Sequence, residues 1–287
     1  MESQTVVLSP ITDGDIEEVA AFLHSQLNPR VSVADWVRAM NPTWSADPPN
    51  HGFLLSDQGR VIGAYLAFYS ERVIDGHRER FCNLGAWSVD PEYRSHGLRL
   101  VRAMLGQRGL TFTDLSPSGS VVAVNERLGF KFLDTATALV PNIPRPTLGR
   151  RVRVVTDLAQ IHRSLSGDDL RLFLDHRDAA AALHFVIKSG GDRCYTIARK
   201  DRRKDLPVFA SILYVSNKEL FARTQRALYG HLLVRHGALA TLAELRVVGS
   251  QPPWSIPLTH PRPKMYRSTL GPQYIDYLYS ELTSVAW

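Results

Sequence analysis

Cysteine is scarce in this chain: Cys82 and Cys194 are the only two among 287 residues. That excludes a disulfide framework, and the pair lacks zinc-ligand spacing. The ten histidines form no His-x-x-x-His or comparable pattern, so no metal is expected. Long apolar runs are missing too: no uncharged stretch approaches the ~18–20 residues needed to cross a bilayer. Met1-Glu2-Ser3-Gln4 does not open a basic segment followed by an apolar one, so no signal peptide is expected. The expected compartment is a reduced cytoplasm. Blocks of like charge are few. Only Arg199-Lys200-Asp201-Arg202-Arg203-Lys204 forms a basic run, which reads as a solvated loop tip.

The net charge of +6 is otherwise scattered. It suits an anionic partner: a nucleotide cofactor, a phosphorylated sugar, an RNA or an anionic membrane face. Nucleic acid is not the expected partner, because Trp36, Trp44, Trp87 and Trp254 read as core or groove lining. Hydrophobic residues make up 44% and charged residues 22%, a globular mix. At roughly 100–200 residues per domain, the length predicts two domains or one large one. Pro141, Pro144 and Pro146 with Gly149 place the boundary near residue 146, between domains 1–146 and 147–287.

Periodicity predicts a mixed α/β chain. After a short strand at Val6–Ser9, Thr12-Asp13-Gly14-Asp15 starts a helix carrying Ile16, Val19, Ala20 and Leu23. A second helix covers Val33–Met40. Ser56-Asp57-Gln58-Gly59 joins two strand-like runs as a hairpin, and Arg80–Val89 is the next strand. Helix Leu98–Leu105, strand Leu110–Leu115, helix Val121–Leu128 and strand Phe130–Thr135 complete this half. Further on, helices are expected over Asp168–Ile187, Lys218–Arg235 and Tyr274–Leu282. Strands are expected at Arg193–Ala198, Pro207–Val215 and Leu245–Val248. This order roughly repeats that of the first half, so a duplicated fold is an open expectation.

The informative segment is Val89-Asp90-Pro91-Glu92-Tyr93-Arg94-Ser95-His96-Gly97-Leu98-Arg99-Leu100. A strand ends at proline, a polar loop with Arg and Gly follows, and a helix begins. Such a unit aims backbone N–H groups and the positive end of a helix at one spot, where they bind an anion, typically phosphate. Gly97 permits close approach of the ligand, and Arg94 and Arg99 add charge.

Val89, Pro91, Arg94 and Gly97 match in register the acyl-CoA-binding motif V-x-P-x-x-[QR]-x-x-G-x-[GA] of the GNAT (GCN5-related) N-acyltransferases, with Arg99 replacing the last small residue. Asn125-Glu126-Arg127-Leu128-Gly129-Phe130 resembles the end of that family's last helix, and Gly63 fits its central hairpin. The resemblance covers about residues 5–140. It implies a GNAT-like, mostly antiparallel sheet flanked by helices, in two tandem halves if the second is a degenerate copy that has lost the cofactor. It also implies acetyl-CoA as co-substrate and no metal. The pantetheine arm would lie against Trp87, Ser88 and Val89 in a gap beside Leu110–Leu115. The pyrophosphate would lie on Arg94, Ser95, His96, Gly97, Leu98 and Arg99, with a backbone N–H near Trp87 as oxyanion donor.

The family's acid Tyr corresponds here to Asn125, which would hydrogen-bond the thiol or pantetheine instead. Ser116, Ser118 and Ser120 are either helix caps or hold one residue, with Ser120 the candidate, that donates a proton or orders a water. Candidate bases are Asp114 and Glu71, with Asp75 and His77 nearby. Cys82, without a paired His, reads as a small hydrophobe. In the second half, Ser216-Asn217-Lys218-Glu219-Leu220 lacks the glycine of a phosphate loop, so this half would shape the acceptor site or a homodimer face. Pro263-Lys264-Met265-Tyr266-Arg267-Ser268 is either a surface strand or a contact for an anionic acceptor.

The expected activity is transfer of an acyl group, acetyl first, from acyl-CoA to an amine of a small metabolite, neutral or anionic, such as an amino sugar. The alternatives are a tandem-GNAT aminoacyl or long-acyl transferase with a tRNA or carrier-protein donor, and an acyl-CoA sensor without turnover.

Overall fold

A computed structural model describes residues 6–44, 48–143, 152–203 and 206–287. Its strands in the first half are β1 (Val7–Pro10), β2 (Gly52–Asp57), β3 (Arg60–Ile74), β4 (His77–Val89), β5 (Thr111–Asp114), β6 (Lys131–Phe132) and β7 (Thr137–Pro141). Those in the second half are β8 (Val152–Val155), β9 (Leu183–Ser189), β10 (Asp192–Arg203), β11 (Leu206–Val215), β12 (Ala240–Glu244), β13 (Ile256–Pro257) and β14 (Met265–Arg267). The helices are α1 (Ile16–Gln26), α2 (Val33–Met40), α3 (Gly97–Leu105), α4 (Gly119–Arg127), α5 (Leu158–Ser164), α6 (Gly167–His176), α7 (Lys218–His236), α8 (Leu245–Val248) and α9 (Glu281–Ser284). No described helix is long and apolar enough to cross a membrane.

The chain forms two compact units. The first comprises Met1–Leu133, Pro263–Ile275 and Tyr279–Trp287. Its sheet runs β1-β2-β3-β4-β5-β14-β6, antiparallel throughout except for the β4–β5 pair. Turn chemistry sets the register of the two long hairpins. Gln58-Gly59 and Asp75-Gly76 all take positive φ, the left-handed geometry that two-residue turns between twisted strands require. On one sheet face, Leu100, Val101 and Met104 of α3 pack with Leu55, Ile62, Leu84 and Phe112. Apolar side chains recur at helical spacing on α3, and their removal from water is worth about 1.5–3 kcal/mol each. Helix α1 packs on β3 and β4, and α9 packs on β4 and α2.

The second unit comprises Asp134–Arg262 and Asp276–Leu278. Its sheet runs β13-β7-β12-β11-β10-β9-β8, and β11–β12 is its parallel pair. Read from the other edge, this is the strand order of the first unit repeated. Phe221, Leu228 and Leu232 of α7 fill its core against Phe185, Cys194, Ala210 and Ile212.

The structure departs from the sequence expectations where distant pairing decides. The division falls at Leu133 rather than near 146, because β7 ladders onto β12. Pro144, Pro146 and Gly149 lie outside the described residues. The segment at 263–268 is no surface strand: β14 lies between β5 and β6 with Met265 and Tyr266 buried. The helix expected to reach Ile187 ends at His176, because Leu183–Ser189 pairs on both edges as β9. Leu245–Val248 is one helical turn, stopped by Gly249 at φ 87°. The strand expected over Phe130–Thr135 is reduced to β6. The terminal helix expected at Tyr274–Leu282 is broken, with Tyr279 at φ 56°, and only α9 remains. The basic run continues β10 through Arg203, with Arg199 buried rather than solvated; Lys204 lies outside the described residues.

Candidate functional site

Strands β4 and β5 pair only over Phe81–Thr111, Cys82–Phe112 and Asn83–Thr113. Asn83 closes this short ladder by donating from Nδ2 to Thr113 Oγ1 at 3.1 Å. Beyond it, among the described residues, Leu84–Val89 has no strand partner on that edge, while the other edge stays paired with β3. The cause is a bulge. Tyr65 faces Trp87 and Leu66 faces Gly85, leaving Ala86 as the extra residue with φ 55°. A bulge bends its strand, and a left-handed alanine costs of order 1 kcal/mol, strain of the kind concentrated at functional sites. The free edge of β4 therefore presents backbone N–H and C=O groups to any extended amide chain that fits the gap.

The expected phosphate-binding residues converge at the end of this edge. A 3₁₀ turn at Pro91–His96 leads into α3, whose N-cap His96 makes no side-chain cap. Arg94, Ser95 and Leu98 are exposed, and His96 is half-buried. Gly97 is buried, in ordinary right-handed helical geometry at φ −55°. Its backbone N–H bonds to Arg94 O, so it is not one of the amides left for a ligand. A Cβ at Gly97 would lie 3.4 Å from Trp87 Cζ2 and 3.6 Å from Val89 Cγ2. Gly97 therefore leaves room beside Trp87 for a methyl group but not for a large side chain, and its backbone is not left-handed. Arg99 is partly engaged, donating to Val6 O at 3.0 Å and meeting His96 Nδ1 at 3.3 Å. Trp87, Ser88 and Val89 are half-buried along the free edge. The Trp87 ring stacks on Tyr65 with centroids 5.3 Å apart, and its buried Nε1 has no partner among the described residues.

Two buried carboxylates flank the start of the gap. Asp114, at the end of β5, accepts from Asn125 Nδ2 at 2.8 Å. Burial raises its carboxyl to about 6, against the smaller opposing effects of Asn125 and the Ser116 backbone. Glu281, on α9, is wholly buried. Burial first, then the charge of Asp114, pushes its carboxyl to about 7. Glu281 Oε1 accepts from Ser116 Oγ at 2.9 Å, and its backbone N–H donates to Asn83 Oδ1 at 2.9 Å. Tyr65 completes the group. Burial, reinforced by Asp114, Cys82 and Glu281, holds its hydroxyl well above its usual range, so it stays protonated.

The other candidates fall elsewhere. Glu71 is exposed near the far end of β3 and lies 3.9 Å from Arg78. Asp75 accepts from Tyr274 Oη at 2.6 Å, and His77 is exposed. Ser120 is exposed in the first turn of α4, and Ser118 takes the N-cap geometry without a side-chain cap. Cys82 packs as a small core residue, and burial pushes its thiol up. Glu281 was not anticipated. Its signal in the sequence is slight: it is the only charged side chain in the run 277–287.

The corresponding place in the second unit is filled by protein. Strands β11 and β12 pair only through Ser211–Leu242. Asn217 Oδ1 caps the head of α7 by accepting from Leu220 N at 2.9 Å. Tyr277 Oη donates to Glu244, and the Arg246 guanidinium lies 5.4 Å from the Tyr277 ring centroid.

No family model and no curated protein matches the sequence. Solved structures do match. A probable N-acyltransferase from Enterococcus faecalis covers 92% of this chain and 72% of its own, with TM-score 0.59 and 13% identity. A GCN5-related N-acetyltransferase from Kribbella flavida covers 92% and 71%, with TM-score 0.53 and 16% identity. A GCN5-related glucosamine N-acetyltransferase region of a fungal multi-domain GH3 β-N-acetylglucosaminidase covers 93% of this chain and 38% of that one, with TM-score 0.58 and 14% identity. At such identities the likeness is one of fold, and the chain has the fold of the GCN5-related N-acetyltransferases.

Proposed function

We propose that the chain is an N-acyltransferase that moves an acyl group, acetyl in the simplest case, from an acyl-CoA thioester to the amine of a small molecule. The observation that carries this reading is the parting of β4 and β5 after Asn83–Thr113, beside a helix head without a side-chain cap. The pantetheine amides pair with the free edge at Trp87–Val89, as an added strand would. The diphosphate lies at the head of α3 within reach of exposed Arg94. A backbone N–H near Trp87 polarises the thioester carbonyl. Holding donor and amine together then supplies much of the rate.

The acceptor has a cleft of about 480 Å³ in the same unit. Polar Thr12, Asp13, Asn41, Asn50 and His51 rim a floor of Ala67, Phe68 and Tyr69. Such a lining suits a polyhydroxylated amine, and an amino sugar is the proposed acceptor class. The glucosamine N-acetyltransferase region among the similar structures supports the same choice.

Isothermal titration with acetyl-CoA, followed by thiol release across a panel of amines including glucosamine, tests the reading. Saturable binding and amine-dependent thiol release are expected. Absence of acetyl-CoA binding at millimolar concentration overturns it. Binding without turnover would make the chain a sensor, and co-purified tRNA with steep salt dependence would indicate an RNA-linked donor.

A further inference from the structure

Glu281 spans the point where the two strands separate. Its backbone is tied to Asn83, the last residue of β4 paired with β5, and its Oε1 to Ser116, two residues beyond β5. Its other oxygen, Oε2, is buried with no partner among the described residues. The surroundings make room for this side chain. A Cβ at Gly85 would sit 3.0 Å from Glu281 Cβ and 3.0 Å from Phe68 Cε2, so any larger residue there would displace one of them. Phe68 also belongs to the floor of the polar cleft, which brings Glu281 next to the wall of the proposed acceptor site. A buried acid with half its acceptor capacity unused is costly, and such groups persist where chemistry needs them.

We infer that Glu281, delivered by the C-terminal helix α9, is the general base that deprotonates the acceptor amine through Oε2. This rests on the acyltransferase reading. The acceptor ammonium gives one proton to Glu281. The amine lone pair forms the N–C bond to the thioester carbonyl carbon as the C–S bond breaks. The second amine proton replaces the one that the departing CoA thiolate takes up, directly or through a protein hydroxyl, and Glu281 returns its proton to water. Burial and the neighbouring Asp114 raise the proton affinity of Glu281 toward neutrality, where a base of this kind works best. The titratable groups that interact with it are Asp114 from β5 and Tyr65 from β3. The cation near α9 is Arg72, which lies over the rings of Phe81 and Tyr279. Asp114 is a positioning residue here, its charge tuning the base.

The test is acetyl transfer from acetyl-CoA to the best amine of the panel, as a function of pH. Glu281→Gln is expected to lower kcat by about 10²–10⁴-fold, to leave acetyl-CoA affinity unchanged, and to remove the acidic limb of kcat/KM near pH 7. Because a buried substitution can unfold the chain, two further variants read the same base. Ser116→Ala removes a donor to the carboxylate and moves the limb to higher pH, whereas Asp114→Asn removes a like charge and moves it to lower pH. An active wild type with an equally active Glu281→Gln, or a limb that neither variant moves, overturns the inference alone. A wild type that binds acetyl-CoA but acetylates no amine overturns the parent reading and the inference with it.

Discussion

Asn125 and Asp114 face each other at 2.8 Å, with amide Nδ2 donating to carboxylate Oδ2 inside the first unit. This single bond offsets only part of the burial cost, and Asp114 still titrates near 6 instead of 3.8. Glu281 rises likewise, from 4.5 to about 7. Between roughly pH 4 and 7 the folded chain therefore keeps protons that the unfolded chain has released, so these two groups make stability fall as pH rises. His184, lowered to about 4 by burial, acts in the opposite sense over part of that window. The variant-minus-wild-type difference isolates the carboxylates. For Asp114→Asn and for Glu281→Gln, the Tm difference from wild type should become more positive between pH 5 and 7.5 in thermal melts. A difference independent of pH would show that neither carboxylate is perturbed.

Two arginines sit in the phosphate-binding segment, and the structure separates their roles. Arg94 is exposed and free to meet a diphosphate, whereas Arg99 ties α3 to the carbonyl of Val6. Arg94→Ala should weaken acetyl-CoA binding several-fold, more at low salt than at high, with Tm unchanged. Arg99→Ala should instead cost about 1–2 kcal/mol of stability through the lost charged hydrogen bond. Titration calorimetry and melts of both variants check this, and an Arg99→Ala protein of full stability with lost affinity would reverse the assignment.

What was legible in the sequence was local. Val89, Pro91, Arg94 and Gly97 sit within nine residues, and strand, turn and helix follow from their types. The Gln58-Gly59 hairpin turn was equally readable. The bulge at Ala86 was not, because alanine carries no mark of positive φ. Asp114 and Asn125 were both candidates, but their bond was not foreseeable from sequence alone. Glu281 meets Ser116 across 165 residues of chain, and β14 meets β5 across a similar span. Periodicity reports which face of an element is apolar, not which distant strand covers it. For the same reason β7 and β14 escaped notice as members of sheets formed by the other half of the sequence.

Gly97 has space for one methyl group and little more. A Cβ would make ordinary contacts with Trp87 and Val89, and the backbone is already helical. Gly97→Ala should therefore fold normally and gain up to about 1 kcal/mol from reduced freedom of the unfolded chain. Gly97→Trp cannot be accommodated without moving Trp87 off the free edge of β4, and acetyl-CoA affinity should fall at least tenfold. Calorimetric titration of both variants decides the matter. Unchanged affinity in Gly97→Trp would remove the diphosphate from this helix head.

The departing thiolate needs a proton, and Asn125 stands where the resemblance implies a tyrosine. Tyr65 brings a hydroxyl to the same group of side chains, nearly buried and stacked on Trp87. Its raised pKa keeps the proton in place at any working pH, and the charges of Asp114 and Glu281 add to that hold. Tyr65→Phe retains the stacked ring and removes only the hydroxyl, so Tm should change little. If Tyr65 is the acid, kcat should drop by about 10²-fold with acetyl-CoA. The loss should shrink with an acetyl thioester whose thiol is more acidic, because such a leaving group needs less help. Equal losses with both thioesters would assign Tyr65 to packing, and the proton would then reach sulfur by another path.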